Sequence, residues 1–386
     1  MNENDLLIRG VSEIIDKVHL EQQLASGKKL RVKLGIDPTS PNIHLGRAVV
    51  LWKLRQFQDL GHQVIFIVGD FTGQIGDTSD KEAERPMLTE EQVKANMKTY
   101  FKQAFKILDK TKTETYYNSK WLKKLSSIEI GRMADRFGLH EFSSRELIKK
   151  RLDAGKRVSL REVLYPIFQA YDSVMVKADL ELGGTDQRFN LLAGRSVQPL
   201  FGQEPQDILL TKFPLEGTDG RKMSSSWGNV INITDKPDEM FGKVMTLEDK
   251  LIVKYFDLAT RVNSAEVKQI EKDLAAGSHP RDLKIRLGKE IVALYHSKSA
   301  ADKAAREWQK VFSQKEKPSQ IDEVSVSSQN VVDVLVETKL ASSKSEAKRL
   351  IEQKGVKVDD QVATEATEIK PGQLIQVGKR KFLKIK

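Results

Sequence analysis

The chain has 386 residues with 39% hydrophobic content, a mean hydropathy of −0.44 and no apolar run approaching a membrane span, which excludes an integral membrane protein and predicts two or three soluble domains. It contains no cysteine and six scattered histidines, which excludes disulfides and thiolate zinc sites and predicts no structural metal. The net charge of +10 suits an anionic partner, with solubility as the alternative, and the acidic N-terminus without a basic leader makes the cytoplasm the expected location.

The first predicted elements are a helix and a strand–turn–helix unit around which the rest of the chain is organised. Apolar residues at helical spacing predict an amphipathic helix from Leu6 to Leu24. Alternation from Leu30 to Ile36 predicts a strand, and the two prolines and short polar side chains of residues 37–42 predict a sharp turn. Three-to-four spacing from Ile43 to Leu60 then predicts a second helix.

This second helix begins with His44-Leu-Gly46-Arg. A helix N-terminus after a tight turn presents unpaired N–H groups and a positive dipole, which suit a phosphate. His44 could donate a hydrogen bond to a phosphate oxygen, and Gly46 would let a ligand approach the backbone closely. The alternative is that these residues only form an ordinary turn between a strand and a helix, because four-residue patterns recur by chance.

A further strand at Val64–Val68 completes a strand, helix, strand unit typical of a doubly wound, Rossmann-like α/β fold with a parallel sheet. It ends in the glycine- and aspartate-rich segment 69–77, at the sheet edge where such folds bind ligands. An Asx-turn accounts poorly for Asp77, whose carboxylate is a candidate for holding a ligand cation. Helical spacing then predicts helices over Thr89–Leu108 and Ser126–Arg151, as an insertion between the halves of the sheet.

Tyr165, Gln169 and Asp172 recur at intervals of four and three residues, so they share one face of a predicted helix. A solvated helix face is the alternative, but the dense apolar residues around them favour buried polar groups, which need hydrogen-bonding partners such as a bound ligand. The alternating segment Val176–Leu182 predicts another strand, followed by the sequence GGTDQ at residues 183–187. A glycine pair followed by an acid at a strand end is typical of a ribose site, in which Asp186 would accept from the sugar hydroxyls.

The next segments predict a loop, a helical region and a linker. Residues 217–228 are hydrophilic and flanked by glycines, which predicts a mobile loop, and they contain the sequence KMSSS at residues 222–226. A helical region is predicted from Lys236 to about Ser313, and a polar linker from Ser313 to Ser328.

The C-terminal segment predicts a small basic α/β module. Val331–Leu335 and Ser343–Ile351 predict two short helices, and Val356–Val358 and Leu374–Val377 predict strands. Residues 339–386 hold ten lysines, two arginines and six acidic residues, more than half of the chain's positive excess in an eighth of its length. A solubilising tail is the alternative, but it fits poorly with the many apolar residues. The candidate phosphate-binding residues, on one face of the second helix, are Lys344, Lys348 and Arg349.

The segments HLGR and KMSSS resemble the two signature sequences of class I aminoacyl-tRNA synthetases, and the residues between them narrow the resemblance. Residues 165–172, reading YPIFQAYD, and residues 183–187 resemble the tyrosine-pocket and ribose-pocket segments of bacterial tyrosyl-tRNA synthetases. The C-terminus resembles the RNA-binding module of one form of that family, so the likeness covers nearly the whole chain. The domains implied are a Rossmann-like catalytic domain with a helical insertion (1–220), a signature loop with a helical anticodon-arm-binding domain (221–318), and an RNA-binding module (325–386).

The resemblance implies a tyrosine–tRNA ligase that uses L-tyrosine, ATP with Mg²⁺, and tRNA(Tyr), and that forms a homodimer through the helical insertion. Catalysis would fall to Thr39, His44 and Lys222, because alignment and electrostatic stabilisation of the triphosphate suffice without a side-chain nucleophile. The residues implied to bind ATP are Asp37, Thr39, His44, Gly46, Arg47, Gly183, Asp186, Lys222, Met223, Ser224, Ser225 and Ser226. The residues implied to bind tyrosine are Lys33, Gly35, Asp77, Tyr165, Gln169, Asp172 and Gln187. In that set the amino-acid ammonium would contact Asp77, Tyr165 and Gln169, and the phenolic hydroxyl would contact Asp172.

Three residues depart from the better-known family pattern. Lys33 stands where those enzymes have a tyrosine that helps to bind the substrate hydroxyl, so Asp172 is expected to carry more of that recognition. Arg47 replaces the last residue of the first signature, and Ser225 replaces the second lysine of KMSKS, which leaves Lys222 as the only lysine of the pentapeptide. A tryptophan-specific class I synthetase and a non-catalytic RNA-binding relative are the alternatives, and neither is expected to combine this tyrosine pocket with a basic C-terminal module.

Overall fold

A computed structural model describes residues 3–77, 86–212, 214–313, 321–378 and 381–386. The chain divides into two compact units, Met1–Ser297 and Lys298–Lys386. Within the described ranges, no helix combines the length and the apolar character that crossing a bilayer requires. The division into three domains made from the sequence stays a prediction.

The first unit is built on one six-stranded sheet. Its strands are β1 (Val11–Ile15), β2 (Arg31–Ile36), β3 (Gln63–Val68), β4 (Thr113–Tyr117), β5 (Leu180–Gly184) and β6 (Asp207–Thr211). They are ordered β1-β6-β5-β2-β3-β4, with the edge strand β1 antiparallel to β6 and all other neighbours parallel. The sheet and its helices confirm the predicted Rossmann-like α/β class. The strand order runs outward in both directions from the β2–β5 pair, which is where a ligand crevice is expected in such a fold.

The helices of this unit follow in chain order. They are α1 (Glu3–Leu6), α2 (Lys17–Ala25), α3 (Leu45–Asp59), α4 (Thr72–Ile75), α5 (Glu90–Met97), α6 (Tyr100–Ala104), α7 (Ser119–Leu122), α8 (Ser127–Ala134), α9 (Leu139–Ser143), α10 (Glu146–Asp153), α11 (Leu160–Val176), α12 (Arg188–Val197), α13 (Pro237–Met245), α14 (Ile252–Ala259), α15 (Ser264–Ala275) and α16 (Pro280–Tyr295).

The predicted strand–turn–helix unit is confirmed as β2, a turn and α3. Val32 and Leu34 are buried, and β2 lies between β3 and β5 at the centre of the sheet. The helix is capped at Leu60, and Gly61 follows with a positive φ of 93°, the left-handed conformation that ends many helices. The carboxyl end of the central strand is thereby joined to the start of a long helix.

The helix predicted from Leu6 to Leu24 is wrong, because this segment forms α1, the edge strand β1 and α2. The sequence VSEII of β1 is rich in β-branched residues, which favour a strand, and it pairs antiparallel with β6 in a register that includes Ile15 with Ile208. Gly10 with φ 65° and Asp16 with φ 60° change the chain direction on either side of the strand. Pairing with a distant strand therefore overrode the helical spacing of the apolar residues.

The inserted segment is helical as predicted, but its helices are short and it also supplies a strand. Thr89 and Ser126 each begin a helix with a capping box, in which the side chains of Gln92 and Glu129 bond back to the cap residue. The unpredicted strand β4 pairs parallel with β3 at the edge of the sheet. Its sequence, TETYY, is half-exposed and lacks the apolar alternation that would have predicted a strand.

The second unit contains a long helix and a small α/β module. Its elements are α17 (Lys298–Ser313), β7 (Asp322–Val324), α18 (Val331–Glu337), α19 (Lys344–Glu352), β8 (Val356–Val358), β9 (Gln361–Val362), β10 (Leu374–Val377) and β11 (Lys381–Ile385). The strands form one sheet in the order β7-β11-β10-β8-β9, and its core residues include Val331, Leu335, Ile351, Val356 and Ile375.

The two predicted helices and two predicted strands of the C-terminal module are confirmed. The prediction of a linker over 313–328 is wrong for Asp322–Val324, which form β7 and pair parallel with β11. Residues 314–320 of that linker lie outside the described residues.

Candidate active site

The first unit contains a cavity of about 530 Å³ at the carboxyl ends of β2, β3 and β5. Its walls come from the turn after β2, the start of α3, one face of α11 and the segment 222–226. The cavity therefore brings together all residues predicted to bind ATP or tyrosine except Lys33. Those that line it are Gly35, Asp37, Thr39, His44, Gly46, Arg47, Asp77, Tyr165, Gln169, Asp172, Gly183, Asp186, Gln187, Lys222, Met223, Ser224, Ser225 and Ser226.

His44 is the cap residue at the start of α3, and its imidazole lies buried in the cavity wall. Burial, with smaller contributions from the positive charges of Arg47 and Lys222, lowers the pKa of His44 to about 3. The ring is therefore neutral near pH 7 and can offer one N–H to a ligand. Its Nδ1 makes no hydrogen bond to any described residue. A Cβ on Gly46 would lie 3.1 Å from the ring, so glycine leaves the imidazole room in this position.

Arg47, one of the departures from the family signature, fixes the turn after β2. Its guanidinium donates to Oγ1 of Thr39 and to the hydroxyl oxygen of Tyr100, at 2.7 Å in each case. Tyr100 is fully buried in α6, so the arginine is anchored on one side and orients Thr39 on the other. No pattern in the sequence points to Tyr100, because it lies in the inserted helices.

Asp37 links three elements at the floor of the cavity. Its Oδ2 accepts a hydrogen bond of 2.9 Å from the hydroxyl of Tyr165, and its Oδ1 accepts one of 2.7 Å from Thr72. Burial, followed by the negative charges of Asp37 and Asp77, holds the pKa of Tyr165 well above its usual value, so the phenol stays neutral. A Cβ on Gly69 would lie 2.0 Å from Oδ1 of Asp37, so this strand end must be glycine.

Asp172 lies on α11, lines the cavity and is only 3% exposed. Its carboxylate accepts from Nε1 of Trp121 at 2.7 Å and from Nδ2 of Asn118 at 3.1 Å. Burial raises the pKa of Asp172 to about 7, against the opposing effects of Lys33 and of these two hydrogen bonds. Sequence reasoning missed Asn118 and Trp121 because they follow the unpredicted strand β4.

The acceptor predicted for the amino-acid ammonium is also held in place. Oδ2 of Asp77 accepts from Nε2 of Gln187 at 2.7 Å, and Oε1 of Gln187 accepts from Asn190 at 3.0 Å. Because the amide of Gln187 is fixed in this way, it holds the carboxylate of Asp77 in a defined orientation in the cavity wall. Gln169, predicted for the same end, donates its amide to Glu181 at 3.1 Å.

The prediction that Lys33 binds the amino acid is corrected by the structure. Lys33 is 0% exposed and does not line the cavity, because its side chain is enclosed between β2 and α11. Its ammonium forms an ion pair of 2.9 Å with Glu181 and donates to the carbonyl oxygen of Gln169 and to Oγ of Ser173. At the position where the better-known family pattern has a tyrosine, this chain therefore has a buried ionic group.

The second signature folds against the start of α3. Met223 is buried, its sulfur accepts from the backbone N–H of Gly46 at 3.4 Å, and Oγ of Ser225 donates to Ser40 at 3.2 Å. Asn229, which the sequence did not single out, closes the loop by accepting from the Ser224 N–H at 2.8 Å. The mobility expected for this loop stays a prediction.

The basic residues predicted to bind RNA lie on α19 in the second unit. Lys344, Lys348 and Arg349 are all exposed, as expected for a contact surface. Lys344 pairs with Asp333 at 2.7 Å and Lys348 with Glu365 at 2.8 Å. Exposed pairs of this kind are weak, so an RNA phosphate could replace either carboxylate.

One group of potential metal ligands occurs among the described residues. The donor atoms of Asp16, His19 and Asp207 lie within 4.8 Å of one another. Arg195 pairs with Asp16 at 2.8 Å and with Asp207 at 3.6 Å, so a guanidinium already balances these carboxylates. The donor set therefore gives no support to a cation at this position.

Comparison with known proteins gives two family matches. Residues 25–313 match the family of class I tRNA synthetases (W and Y), and residues 329–375 match the S4 domain. The tyrosine–tRNA ligase of Moorella thermoacetica is 47% identical, with 98% of this chain and 94% of that protein covered. Those of Dehalococcoides mccartyi and Thermotoga maritima are 46% and 45% identical, covering 99% and 98% of this chain and 98% and 96% of those proteins.

Solved structures share the fold at lower identity. A mitochondrial tyrosyl-tRNA synthetase of Aspergillus nidulans superposes with a TM-score of 0.65 at 22% identity, covering 80% of this chain and 92% of that one. The enzyme of Archaeoglobus fulgidus gives a TM-score of 0.62 at 24% identity, covering 78% and 98%. With the family matches and the near-complete coverage of the bacterial relatives, the resemblance inferred from the sequence is confirmed. The chain belongs to the class I tRNA synthetases, as a member of the bacterial tyrosyl-tRNA synthetase family that has a C-terminal S4 domain.

Proposed function

We propose that this protein is a tyrosine–tRNA ligase that activates L-tyrosine with ATP and then transfers the tyrosyl group to the 3′ end of tRNA(Tyr). This proposal rests on the set of residues that line one cavity. Asp172 lines it as a buried acceptor for a phenol, while His44 and Lys222 lie on the wall formed by the start of α3 and the second signature. The membership in the tyrosyl family supports the same substrate.

Activation needs no nucleophile from the protein. An oxygen of the tyrosine carboxylate attacks the α-phosphorus of ATP while the bond to the oxygen bridging the α- and β-phosphates breaks, and pyrophosphate leaves with that electron pair. The neutral imidazole of His44, the positive end of the α3 dipole and the ammonium of Lys222 stabilise the charge that builds on the phosphates. Thr39, oriented by Arg47, supplies a further donor.

The amino acid is held from both ends. Asp172 accepts the hydrogen of the phenolic hydroxyl, and Asp77 with Gln169 and Tyr165 holds the α-ammonium. Asp186 accepts from the ribose hydroxyls at the end of β5. Mg²⁺ enters with ATP as part of the substrate, and the carboxylate of Asp37, engaged by Tyr165 and Thr72, is not assigned to it.

The remaining proposals concern partners and location. The S4 domain binds tRNA through Lys344, Lys348 and Arg349, and residues 221–318 contact the anticodon arm. The protein is a cytoplasmic homodimer in which the inserted helices meet. Support for that interface comes from large apolar side chains on or beside the insertion, namely Ile128 (68% exposed), Leu139 (68%) and Leu160 (79%).

The test is exchange of labelled pyrophosphate into ATP, run separately with each amino acid. Tyrosine is expected to support exchange, and phenylalanine only weakly, because removing the hydroxyl leaves Asp172 without its partner. Tryptophan is expected to give none. Exchange with tryptophan equal to that with tyrosine, or no exchange with tyrosine, would contradict the proposal.

A further inference from the structure

A buried ion pair lies directly behind the amino-acid end of the cavity. Lys33 on β2 and Glu181 on β5 are register partners on adjacent parallel strands, so their side chains leave the sheet on the same face. Nζ of Lys33 lies 2.9 Å from Oε1 of Glu181, and the two side chains are 0% and 1% exposed. Charges at this depth destabilise a fold unless their remaining hydrogen-bonding capacity is also used.

That capacity is used by residues of α11 and its neighbours. Lys33 donates to the Gln169 carbonyl oxygen at 3.1 Å and to Ser173 Oγ at 2.8 Å. Glu181 accepts from the Gln169 amide at 3.1 Å, from Ser173 Oγ at 3.0 Å and from the Gln206 amide at 2.5 Å. One of these residues, Gln169, also lines the cavity. The ion pair is thus one hydrogen bond away from the substrate surface.

The close approach of α12 to this network requires a glycine. A Cβ on Gly194 would lie 2.5 Å from Nε2 of Gln206 and 3.0 Å from Oγ of Ser173. The polar network is therefore closely enclosed by protein atoms on the side that faces α12.

Structural stability alone does not explain a buried ion pair. Replacing such a pair with apolar residues of similar volume is often neutral or stabilising, so the charges are not needed to fill this space. What the charges add is an electrostatic field, and Asp172 lies within it. The positive charge of Lys33 lowers the pKa of Asp172 and the negative charge of Glu181 raises it.

The other groups around Asp172 are few. The segment that ends β4 and begins α7 contributes two uncharged donors, Asn118 and Trp121. Tyr165, on the same helix, is neutral and bonded to Asp37. Of the described groups that have the largest effects on the pKa of Asp172, Lys33 is the one that carries a positive charge.

We propose that the Lys33–Glu181 ion pair is the positioning unit of the amino-acid pocket: Glu181 orients the amide of Gln169, and the ammonium of Lys33, bonded to Ser173 beside Asp172 on α11, is the counter-charge for the carboxylate of Asp172 that accepts a phenolic hydroxyl. The ion pair then determines specificity without touching the substrate. This inference rests on the proposed function, since it concerns how the same pocket selects tyrosine.

The proposal predicts the direction in which the pH dependence of tyrosine use should shift in each variant. Only the carboxylate form of Asp172 is a pure acceptor for the phenol, so tyrosine use falls as the pH drops through the pKa of Asp172. Removing the positive charge of Lys33 raises that pKa, and removing the negative charge of Glu181 lowers it. A merely structural role would instead impair both variants in the same direction.

The experiment measures kcat/KM for tyrosine in pyrophosphate exchange from pH 5.5 to 9.5 for the whole protein and its variants. In the wild type the acidic limb is expected near pH 7, as set by the pKa of Asp172. Lys33→Met should move the midpoint up by about one pH unit or more, and Glu181→Gln should move it down. At pH 7, Lys33→Met should raise the KM for tyrosine and leave the KM for ATP unchanged, and Lys33→Arg should restore part of the loss.

The matched control is Lys53→Met. Lys53 is also a buried lysine, 3% exposed, but its ammonium donates to the carbonyl oxygens of Leu6 and Arg9, away from the cavity. This variant should lose stability without moving the pH midpoint. If Lys33→Met does not fold, the double variant with Glu181→Gln replaces it, and its midpoint should lie above that of Glu181→Gln alone.

The outcomes separate the two proposals. Opposite shifts in the two variants of the ion pair support the inference. Shifts in the same direction, or a midpoint that moves no more than in Lys53→Met, overturn it. Failure of the wild type to exchange pyrophosphate with tyrosine would instead overturn the proposed function.

Discussion

Two lysine ion pairs with nearly equal distances show how differently the two units use charge. Lys33 and Glu181 of the first unit are 2.9 Å apart and 0% and 1% exposed, whereas Lys348 and Glu365 of the second unit are 2.8 Å apart and 53% and 45% exposed. Water screens the exposed pair and competes for its hydrogen bonds, but it does not reach the buried pair. Burial, and not the distance, therefore decides whether an ion pair fixes its surroundings or can be exchanged.

The difference in burial between the two ion pairs follows from the function expected of each unit. The pocket of the first unit has to distinguish one hydroxyl group, so its charges are held rigidly by the strands β2 and β5. The S4 domain is proposed to bind a polyanion, so its lysines are exposed and their carboxylate partners can be replaced by phosphates. Four predictions test how far this contrast extends.

The largest expected effect is on the buried pair. Lys33→Met should lower the free energy of unfolding by about 3–5 kcal/mol, because it leaves the carboxylate of Glu181 buried without a counter-charge. Lys348→Met should leave the unfolding midpoint of the chain unchanged within error. Urea denaturation followed by circular dichroism measures both.

A matched double variant sharpens this prediction. Combining Lys33→Met with Glu181→Leu should recover most of the lost stability, since neither partner then remains as an isolated buried charge. Equal destabilisation by Lys33→Met and Lys348→Met would remove the contrast between the two pairs.

The second prediction concerns a lysine of intermediate exposure. Lys222 lines the cavity and is half-buried, so its ammonium is expected to act on the phosphates at the transition state. Lys222→Ala should slow adenylate formation by about 100- to 1,000-fold, with the KM for tyrosine nearly unchanged. Arg221→Ala is the control, because Arg221 is exposed, pairs with Asp219 and does not line the cavity. Equal rates in the two variants would leave the second signature without a catalytic role.

Ser225→Lys is the complementary variant, because it restores the family pattern of the second signature. Faster activation in this variant would mean that the natural loop lacks part of the charge that its relatives supply.

The central strands and the cavity could be predicted from the sequence because local signals agreed there. The apolar alternation of β2, the turn at Asp37 and the helix after His44 belong to consecutive residues, and the parallel fold then places the ends of β3 and β5 beside them. The spacing of Tyr165, Gln169 and Asp172 likewise identified one face of α11.

The predictions that the structure contradicts have a common physical cause. In each case residues distant in the sequence determine how a strand pairs or how a side chain is buried. β1 forms because β6 offers it an antiparallel partner about 195 residues away, and nothing within the segment 6–24 indicates that partner. Lys33 was expected to contact the substrate because it stands where the better-known enzymes of the family have a tyrosine that helps to bind the substrate hydroxyl. Its partner Glu181 lies on the neighbouring strand but far away in the sequence, so no local sequence pattern predicts the ion pair.

The third prediction tests the acceptor that the buried pair serves. Asp172→Asn keeps the size of the side chain but replaces a charged acceptor with an amide, so the preference for tyrosine over phenylalanine should fall by about 10- to 100-fold. The KM for ATP should not change, because Asp172 is proposed to contact the phenolic hydroxyl and not the nucleotide. The ratio of kcat/KM values for the two amino acids measures the effect. An unchanged ratio would mean that another group selects the hydroxyl.

The smallest effect on the catalytic unit is expected from the exposed charges of the second unit. Reversing Lys344, Lys348 and Arg349 to glutamate removes cations that are not part of any buried network, so pyrophosphate exchange and the unfolding midpoint should stay near the wild-type values. Binding of tRNA should weaken, and the slope of its logarithmic affinity against the logarithm of salt concentration should decrease by about 0.7–0.9 for each phosphate that the variant no longer neutralises. Filter binding at several salt concentrations gives the slope, and Lys17→Glu, at an exposed position of α2 in the first unit, is the control. A variant with an unchanged slope would show that these residues do not contact phosphates. A variant unable to exchange pyrophosphate while still folded would show that exposed charge in the second unit reaches the chemistry of the first, which would break the contrast between exchangeable and fixed ion pairs.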